Sequence, residues 1–288
     1  MAKRVLLLGS SGQLGQTFLA LASTYPELEL VVPDRSQFDF LDPSSLATLI
    51  RQYQPDVCLN CVAYTAVDLA EDEPEKAQTI NVEAVQSLAQ ACQQQQALLV
   101  HFSTDYVFKG DQGEAYTEED ATDPQGVYGR TKRDGEVAIQ NSGVGHLIFR
   151  TSWLYSAYGK NFVKTMVRFG AEREELTVVD DQVGTPTFAS DLASVVLAWL
   201  TEGVTPTQYG IYHFSNEGIA TWYDFACAIM EYGGLPARVK PVSSQLFQQK
   251  APRPSFSLLS KSKLKNTRSI SIPHWRDSLS EFLNQEEG

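Results

Sequence analysis

The chain of 288 residues carries 35 Asp and Glu against 23 Lys and Arg, a formal net charge of −12 with a pI near 4.8. That balance argues against a general nucleic-acid binder, which needs a basic face, but leaves room for an anionic small molecule held by a local cluster of donors. The length suits one large α/β domain, alone or with a smaller appendage; no stretch is long enough to span a membrane, and the short apolar run after Arg4 ends at Gly9, a poor fit to a secretory leader, so a cytoplasmic protein is expected.

Cysteine and histidine usage is equally plain. Cys58 and Cys61 lie in one apolar run, and residues three apart on a strand point to opposite faces, so buried small apolar side chains are expected there, not a redox pair. The four histidines, at 101, 146, 213 and 274, have no ligand spacing, and no zinc is expected.

Arg4 to Leu8 reads as a strand closed by Gly9, followed by Ser10-Ser11-Gly12-Gln13-Leu14-Gly15 and a helical segment from Thr17. Strand, glycine loop and helix is the order a phosphate cradle requires. Gly9 permits the tight turn, Gly12 lets the backbone approach a pyrophosphate, and Gly15 lets the helix pack closely on the strand. A second apolar run, Leu28 to Val32, ends at Pro33-Asp34-Arg35, where a ribose-recognising group is expected. Asp34 would accept from a free 2′-hydroxyl and favour NAD, whereas Arg35 could pair with a 2′-phosphate and favour NADP; the residues leave both open, with a lean to NADPH through Arg35.

The alternation continues through a helix from Pro43, a strand at Val57 to Val62, a helix over Glu75 to Gln95, a strand at Ala97 to Ser103, a helix from about Gly126 to Gln140 and a strand at His146 to Arg150. Such βα repetition implies a Rossmann-type doubly wound parallel sheet, with ligands outside the carboxyl ends of its strands. Residues 1–150 are read as the dinucleotide-binding domain, with a return segment near 180–200, and residues 151–288 mainly as a smaller substrate-binding lobe. Within that lobe, Pro236 to Pro254 reads as irregular structure.

Two groups carry chemistry. Tyr128 and Lys132, four apart on one helix, share a face, so an ammonium stands near a phenol and can draw its pKa toward neutrality. Thr104 follows the fourth strand, on the same rim, and offers an uncharged hydroxyl to a carbonyl oxygen.

With these residues assembled, the chain resembles the extended short-chain dehydrogenase/reductases and, among them, the dTDP-4-dehydrorhamnose reductases. The resemblance rests on Gly9-x-x-Gly12-Gln13-Leu14-Gly15, Asn60 to Asp68, Ser103-Thr104-Asp105-Tyr106-Val107-Phe108, Tyr128-Gly129-x-Thr131-Lys132, Arg150-Thr151-Ser152-Trp153-Leu154-Tyr155 and Arg253-Pro254. It implies NADPH or NADH as cofactor and a nucleotide sugar, a dTDP-4-keto-6-deoxyhexose, as substrate. Hydride would pass to C4 while Tyr128, also in contact with the cofactor, protonates the oxygen, Thr104 bonds that oxygen, and Lys132 depresses the tyrosine pKa and bonds the nicotinamide ribose. It also implies that Gln13, Leu14, Asp39, Phe40, Ala63, Tyr64 and Thr65 contact the cofactor, that Asp105 and Trp153 contact the sugar nucleotide, and that Asn161 and Arg253 hold its diphosphate. Some members form a magnesium-bridged dimer through a glutamate where this chain has Thr17, so no metal and a monomer are expected, with a weak dimer as the alternative. Two rival functions share the scaffold: an epimerase or dehydratase with tightly held NAD, and a non-catalytic partner like the methionine adenosyltransferase beta subunit.

Overall fold

Alternate residues of the first strand, β1 (Lys3–Leu8), enter two different cores: Val5 and Leu7 face one side of the sheet, Leu6 and Leu8 the other, and all four are fully buried. Only a strand covered on both faces reads as a continuous apolar run of this kind. The computed structural model describes residues 2–247 and 249–286. Beside β1 lie β2 (Leu28–Val31), β3 (Val57–Asn60), β4 (Leu98–Thr104) and β5 (His146–Thr151), and a sixth strand, Gly210–His213, closes the edge. The spatial order is Gly210–His213, β5, β4, β3, β1, β2, with every pairing parallel.

On one face, Leu14 and Phe18 of the helix Gln13–Leu21 pack with Leu192, Val196 and Trp199 of the helix Ala189–Glu202. On the other, Leu46, Leu49 and Ile50 of Pro43–Tyr53 meet Val85 and Leu88 of Ala84–Gln95. Truncating any of these leucines to alanine would cost about 2–5 kcal/mol, lost transfer energy plus the cavity left behind. The chain leaves β1 for β2 on one side and returns to β3 on the other, so a crevice opens above the carboxyl ends of β1 and β3.

A second core gathers Phe162–Glu172, Trp222–Tyr232 and Trp275–Glu286 around Tyr155, Phe225, Ile229, Trp275 and Phe282. The return to the first core is longer than a segment near 180–200. It runs through Ala189–Glu202 to the strand Gly210–His213, and Leu264 and Ile272 join it later.

Two segments differ from their sequence patterns. The helix expected over Glu75 to Gln95 is interrupted by a π-turn at Thr79–Glu83 between Pro74–Gln78 and Ala84–Gln95. The wide turn carries the buried Asn81, whose amide bonds the Tyr64 N–H (2.9 Å), the Tyr64 carbonyl (3.1 Å) and Thr131 Oγ1 (3.0 Å). Such turns are often found at functional sites. Within the proline-rich stretch, Arg238–Val242 forms a strand parallel to Glu175–Val179, with Pro241 opposite Val178. A two-stranded ribbon has only edges, so the missing proline N–H is tolerated. Among the described residues no helix is long and apolar enough to cross a membrane.

Candidate active site

Gly9, at φ +82°, turns the chain out of β1, and its carbonyl accepts from the Gly12 N–H at 3.0 Å. At Gly15 a Cβ would stand 2.1 Å from the Gly9 carbonyl oxygen, so only glycine lets the helix seat against the loop. No side chain caps the N-terminus of that helix, which leaves its first N–H groups and its dipole for an anion.

Three cavities run outward from this loop. The first, about 580 Å³, is lined by Gly9, Gly12, Arg35, Asp39, Phe40 and Ala63. It meets a second of about 450 Å³ at Gly12 and Cys61 to Ala63, and there Gln13, Leu14, Thr65, Thr104, Asp105, Tyr128, Lys132 and Trp153 come together. Tyr106 borders both the second and a third of about 380 Å³, lined by Phe162, Val178, Gln182, Trp222 and Arg253. The glycine cradle and the two joined cavities fit an extended dinucleotide, and the third leaves room for a second ligand beside it.

The helix Val127–Asn141 is pressed into place through its small residues. A Cβ on Gly129 would lie 2.2 Å from the Tyr106 carbonyl, and one on Gly135 2.3 Å from that of Asn81. Glu136, one turn past Lys132, forms a buried bidentate pair with Arg150 of β5 (2.7 and 3.0 Å). Tyr128 meets the Tyr106 ring edge-on at 5.6 Å.

Burial pushes the Tyr128 phenol above its ordinary pKa, and a hydrogen bond with Thr104 pulls it part of the way back. Lys132 is held down at about 8, chiefly by burial, against the opposing pull of Glu136. Its Nζ donates to the Phe102 carbonyl (2.7 Å) and lies 3.1 Å from His101 Nε2. Desolvation is the largest influence on the phenol, and Lys132 Nζ is engaged beneath it with Phe102 and His101. Asp105, buried beside Thr104 (3.0 Å), is raised to about 6 by burial, opposed by bonds from Ser257 and Thr104. Its Oδ2 and the hydroxyl of Ser103 are buried without a partner.

Three expected contacts lie elsewhere. Asp34 accepts from Ser36 N (2.8 Å) and Ser36 Oγ (2.7 Å) in a capping box with Gln37, and it does not line the first cavity; Arg35 does. Both bonds fall on Oδ1 and tie the carboxylate to its own turn. Tyr64 turns its hydroxyl to Glu73 at 2.7 Å, away from both cofactor-side cavities, so only its backbone neighbours Ala63 and Thr65 reach them. Asn161 caps the helix Phe162–Glu172 through Lys164 N (3.0 Å) and donates to Gln13 Oε1 (3.1 Å) and the Ser156 carbonyl (2.8 Å), leaving nothing toward the third cavity. Trp153 sits at φ +48° with its ring stacked on Trp222, centroids 3.8 Å apart.

This cleft has known counterparts. A family model described as the RmlD substrate binding domain matches residues 3–287. The dTDP-4-dehydrorhamnose reductase of Escherichia coli (strain K12) is 38% identical over 291 residues, spanning 98% of this chain and 97% of that protein. The chain belongs to the dTDP-4-dehydrorhamnose reductase family. Within the family's reach is also a Streptomyces antibioticus protein named a probable dTDP-4,6-dihydroxy-2-methyloxan-3-one 4-ketoreductase, 37% identical over 96% of this chain and 94% of its own. A crystal structure of dTDP-4-dehydrorhamnose reductase from Bacillus anthracis str. Ames in complex with NADP matches with a TM-score of 0.94 at 37% identity, covering 99% of this chain and 100% of that one.

Several contacts of the reductase-family cleft escape a reading of motifs alone. Asp68 binds Arg253, Trp222 stacks on Trp153, and Asn60 and His101 stand behind Lys132. His101 had one usable signal: a polar side chain inside the apolar run of β4 must find a buried partner.

Proposed function

We propose that this chain reduces the C4 keto group of dTDP-4-dehydro-L-rhamnose to give dTDP-L-rhamnose, using NADPH or NADH. The observation that carries the reading is the convergence of Thr104, Tyr128 and Lys132 on one cavity that joins the glycine cradle. A reduced nicotinamide, when bound, supplies the hydride. Thr104 Oγ1 and the Tyr128 hydroxyl hold the keto oxygen, and the phenol, kept protonated by its burial, donates the proton as charge develops there. Lys132 restores the phenol's proton.

Gly9, Gly12 and Gly15 with the helix N-terminus would hold the pyrophosphate, Arg35 the 2′-phosphate, and Asp39, Phe40, Ala63 and Thr65 the walls around it. The nucleotide sugar would enter over Asp105 and Trp153, with its diphosphate at Arg253 and its base among Phe162, Val178 and Trp222. Thr17 is buried and donates to the Gln13 carbonyl at 2.9 Å, so this position offers no carboxylate to a bridging cation, and a monomer by sedimentation is part of the proposal.

Mixing the protein with NADPH and the dTDP-4-keto sugar should bleach the nicotinamide absorbance with one equivalent of product. Stoichiometric oxidised cofactor retained through purification, with no net bleaching, would move the assignment to an epimerase or dehydratase. A stable large partner without turnover would move it to a regulatory subunit.

A further inference from the structure

From Lys132 a line of three buried polar side chains, Lys132, His101 of β4 and Asn60 of β3, runs across the sheet. Lys132 Nζ lies 3.1 Å from His101 Nε2, and His101 Nδ1 lies 3.1 Å from Asn60 Nδ2. All three residues are at most 1% exposed. The orientation of the Asn60 amide is fixed independently, because its Oδ1 accepts from the Val62 N–H at 3.0 Å. Its NH₂ group therefore faces the imidazole.

The tautomer follows. An amide N–H directed at Nδ1 requires that nitrogen to be bare, and burial keeps the ring neutral, so its single proton sits on Nε2 and points at Lys132. An ammonium there would set N–H against N–H. A neutral amine instead accepts the Nε2 proton with its lone pair while still donating to the Phe102 carbonyl at 2.7 Å, which satisfies every group in the line.

We propose that Asn60 and His101 are positioning residues that lock the imidazole as the Nε2–H tautomer, so that the Lys132 ammonium gives up its proton to Tyr128 readily and the neutral amine it becomes is held by the Nε2–H. The inference rests on the proposed role of Tyr128 as proton donor, but its first readout does not. In each turnover the proton lost from the phenol to the substrate oxygen is replaced by one from the Lys132 ammonium. The amine left behind is held by the Nε2–H, and solvent water later returns the proton, so the balance closes with no further reactant.

The other charged or titratable groups around Lys132 are few. Glu136 on its own helix favours the ammonium but is paired with Arg150 from β5; Tyr128 is a protonated phenol; the thiol of Cys61 beyond β3 is pushed above its ordinary range by burial. None of them supplies the acceptor-seeking N–H that His101 directs at Nζ.

The test begins on the protein without cofactor. Nitrogen-detected NMR of the histidine rings should show His101 as the Nε2–H tautomer, and the Lys132 Cε shift should titrate well below the ordinary lysine range. His101→Phe keeps a planar ring without the N–H, and Asn60→Asp offers Nδ1 an acceptor that flips the tautomer, so that Nε2 accepts from the ammonium. Both should move the Lys132 titration up, by roughly one unit or more on the scale of ordinary environmental shifts, and should carry the alkaline limb of kcat upward with it while KM changes less. A downward shift in either variant, or an Nδ1–H tautomer in the parent, overturns the proposal. A correct NMR result with an unmoved kcat limb would instead remove Tyr128 and Lys132 from the proton path, which locates the failure in the proposed function.

Discussion

Arg253 reaches from the second lobe to Asp68 above β3, Nη2 to Oδ2 at 2.7 Å across 185 residues of chain, while its Nη1 donates to the Tyr106 hydroxyl at 3.2 Å. The Asp68 side chain is 46% exposed, so the pair itself adds little stability, on the order of 0–1 kcal/mol. Its consequence is geometric: the guanidinium is held against Tyr106, which borders both the second and the third cavity, and itself lines the third.

Arg253→Ala is accordingly expected to raise KM for the nucleotide sugar by ten-fold or more, on the order of a charge-assisted bidentate contact, with a smaller change in kcat. The effect should shrink for a keto sugar lacking the diphosphate. Unchanged KM in steady-state kinetics would place Arg253 outside the substrate site.

Cofactor preference turns on the neighbouring residues Asp34 and Arg35. Because Asp34 is engaged in its own capping box while Arg35 lines the first cavity, Arg35→Ala should weaken NADPH several-fold more than NADH, and Asp34→Ala should change neither strongly. Dissociation constants from fluorescence titration decide it: equal losses for both cofactors in the arginine variant would remove it from 2′-phosphate recognition.

Sequence and structure part company at places like this one. The glycine turn was readable because its requirements are local: Gly9 must adopt φ +82° and Gly15 must lack a Cβ, both properties of single residues in a short span. Tyr128 with Lys132 was readable because helical spacing alone puts them on one face. Asp34 and Asn161 are drawn into helix caps, a use that depends on the residues two or three positions on, Ser36 and Lys164. Asn60 and Asp68 bound a run that carried the family resemblance, but their contacts and those of His101 were silent, because the partners lie 41, 185 and 31 residues away. The strand Arg238–Val242 was hidden by its proline and its long-range partner, Glu175–Val179.

Stability should depend strongly on the buried pair that anchors the helix Val127–Asn141 to β5. Arg150 and Glu136 are 4% and 2% exposed, and Glu136→Gln would leave the guanidinium without its counter-charge in a dry site. Breaking such a pair costs about 3–5 kcal/mol, which should appear as a lower denaturation midpoint with an unchanged denaturant slope. A shift under about 1 kcal/mol would mean that water or another group compensates the arginine.

The rate should also fall as the solution turns alkaline. In the proposed mechanism Lys132 acts from its ammonium form, and its pKa is lowered from the lysine norm to about 8, so raising the pH through that value removes the proton source while lower pH preserves it. The kcat profile is expected to bend downward near this pH, and Lys132→Met should abolish the bend as well as slow turnover and weaken cofactor binding. A flat profile well past the bend in the parent enzyme would exclude Lys132 as the donor to Tyr128.

The sharpest prediction concerns Tyr128. Its hydroxyl is the one acidic group in the catalytic cavity that combines burial, a hydrogen bond to Thr104 and a lysine on the next turn of its helix. Tyr128→Phe removes a single oxygen and keeps the ring packed edge-on against Tyr106, so the fold and the denaturation midpoint should hardly change. General acid–base groups contribute about 10²–10⁴ in rate, and kcat should fall by at least that much with cofactor affinity nearly intact. Thr104→Val should produce a smaller loss, because it withdraws a hydrogen bond from the keto oxygen while leaving the proton donor in place. Parent-like turnover by a folded, cofactor-binding Tyr128→Phe variant would refute the assignment, and the donor would then have to be sought at Asp105, the other buried acid beside Thr104, whose pKa of about 6 leaves it ionised at neutral pH and therefore a far weaker candidate.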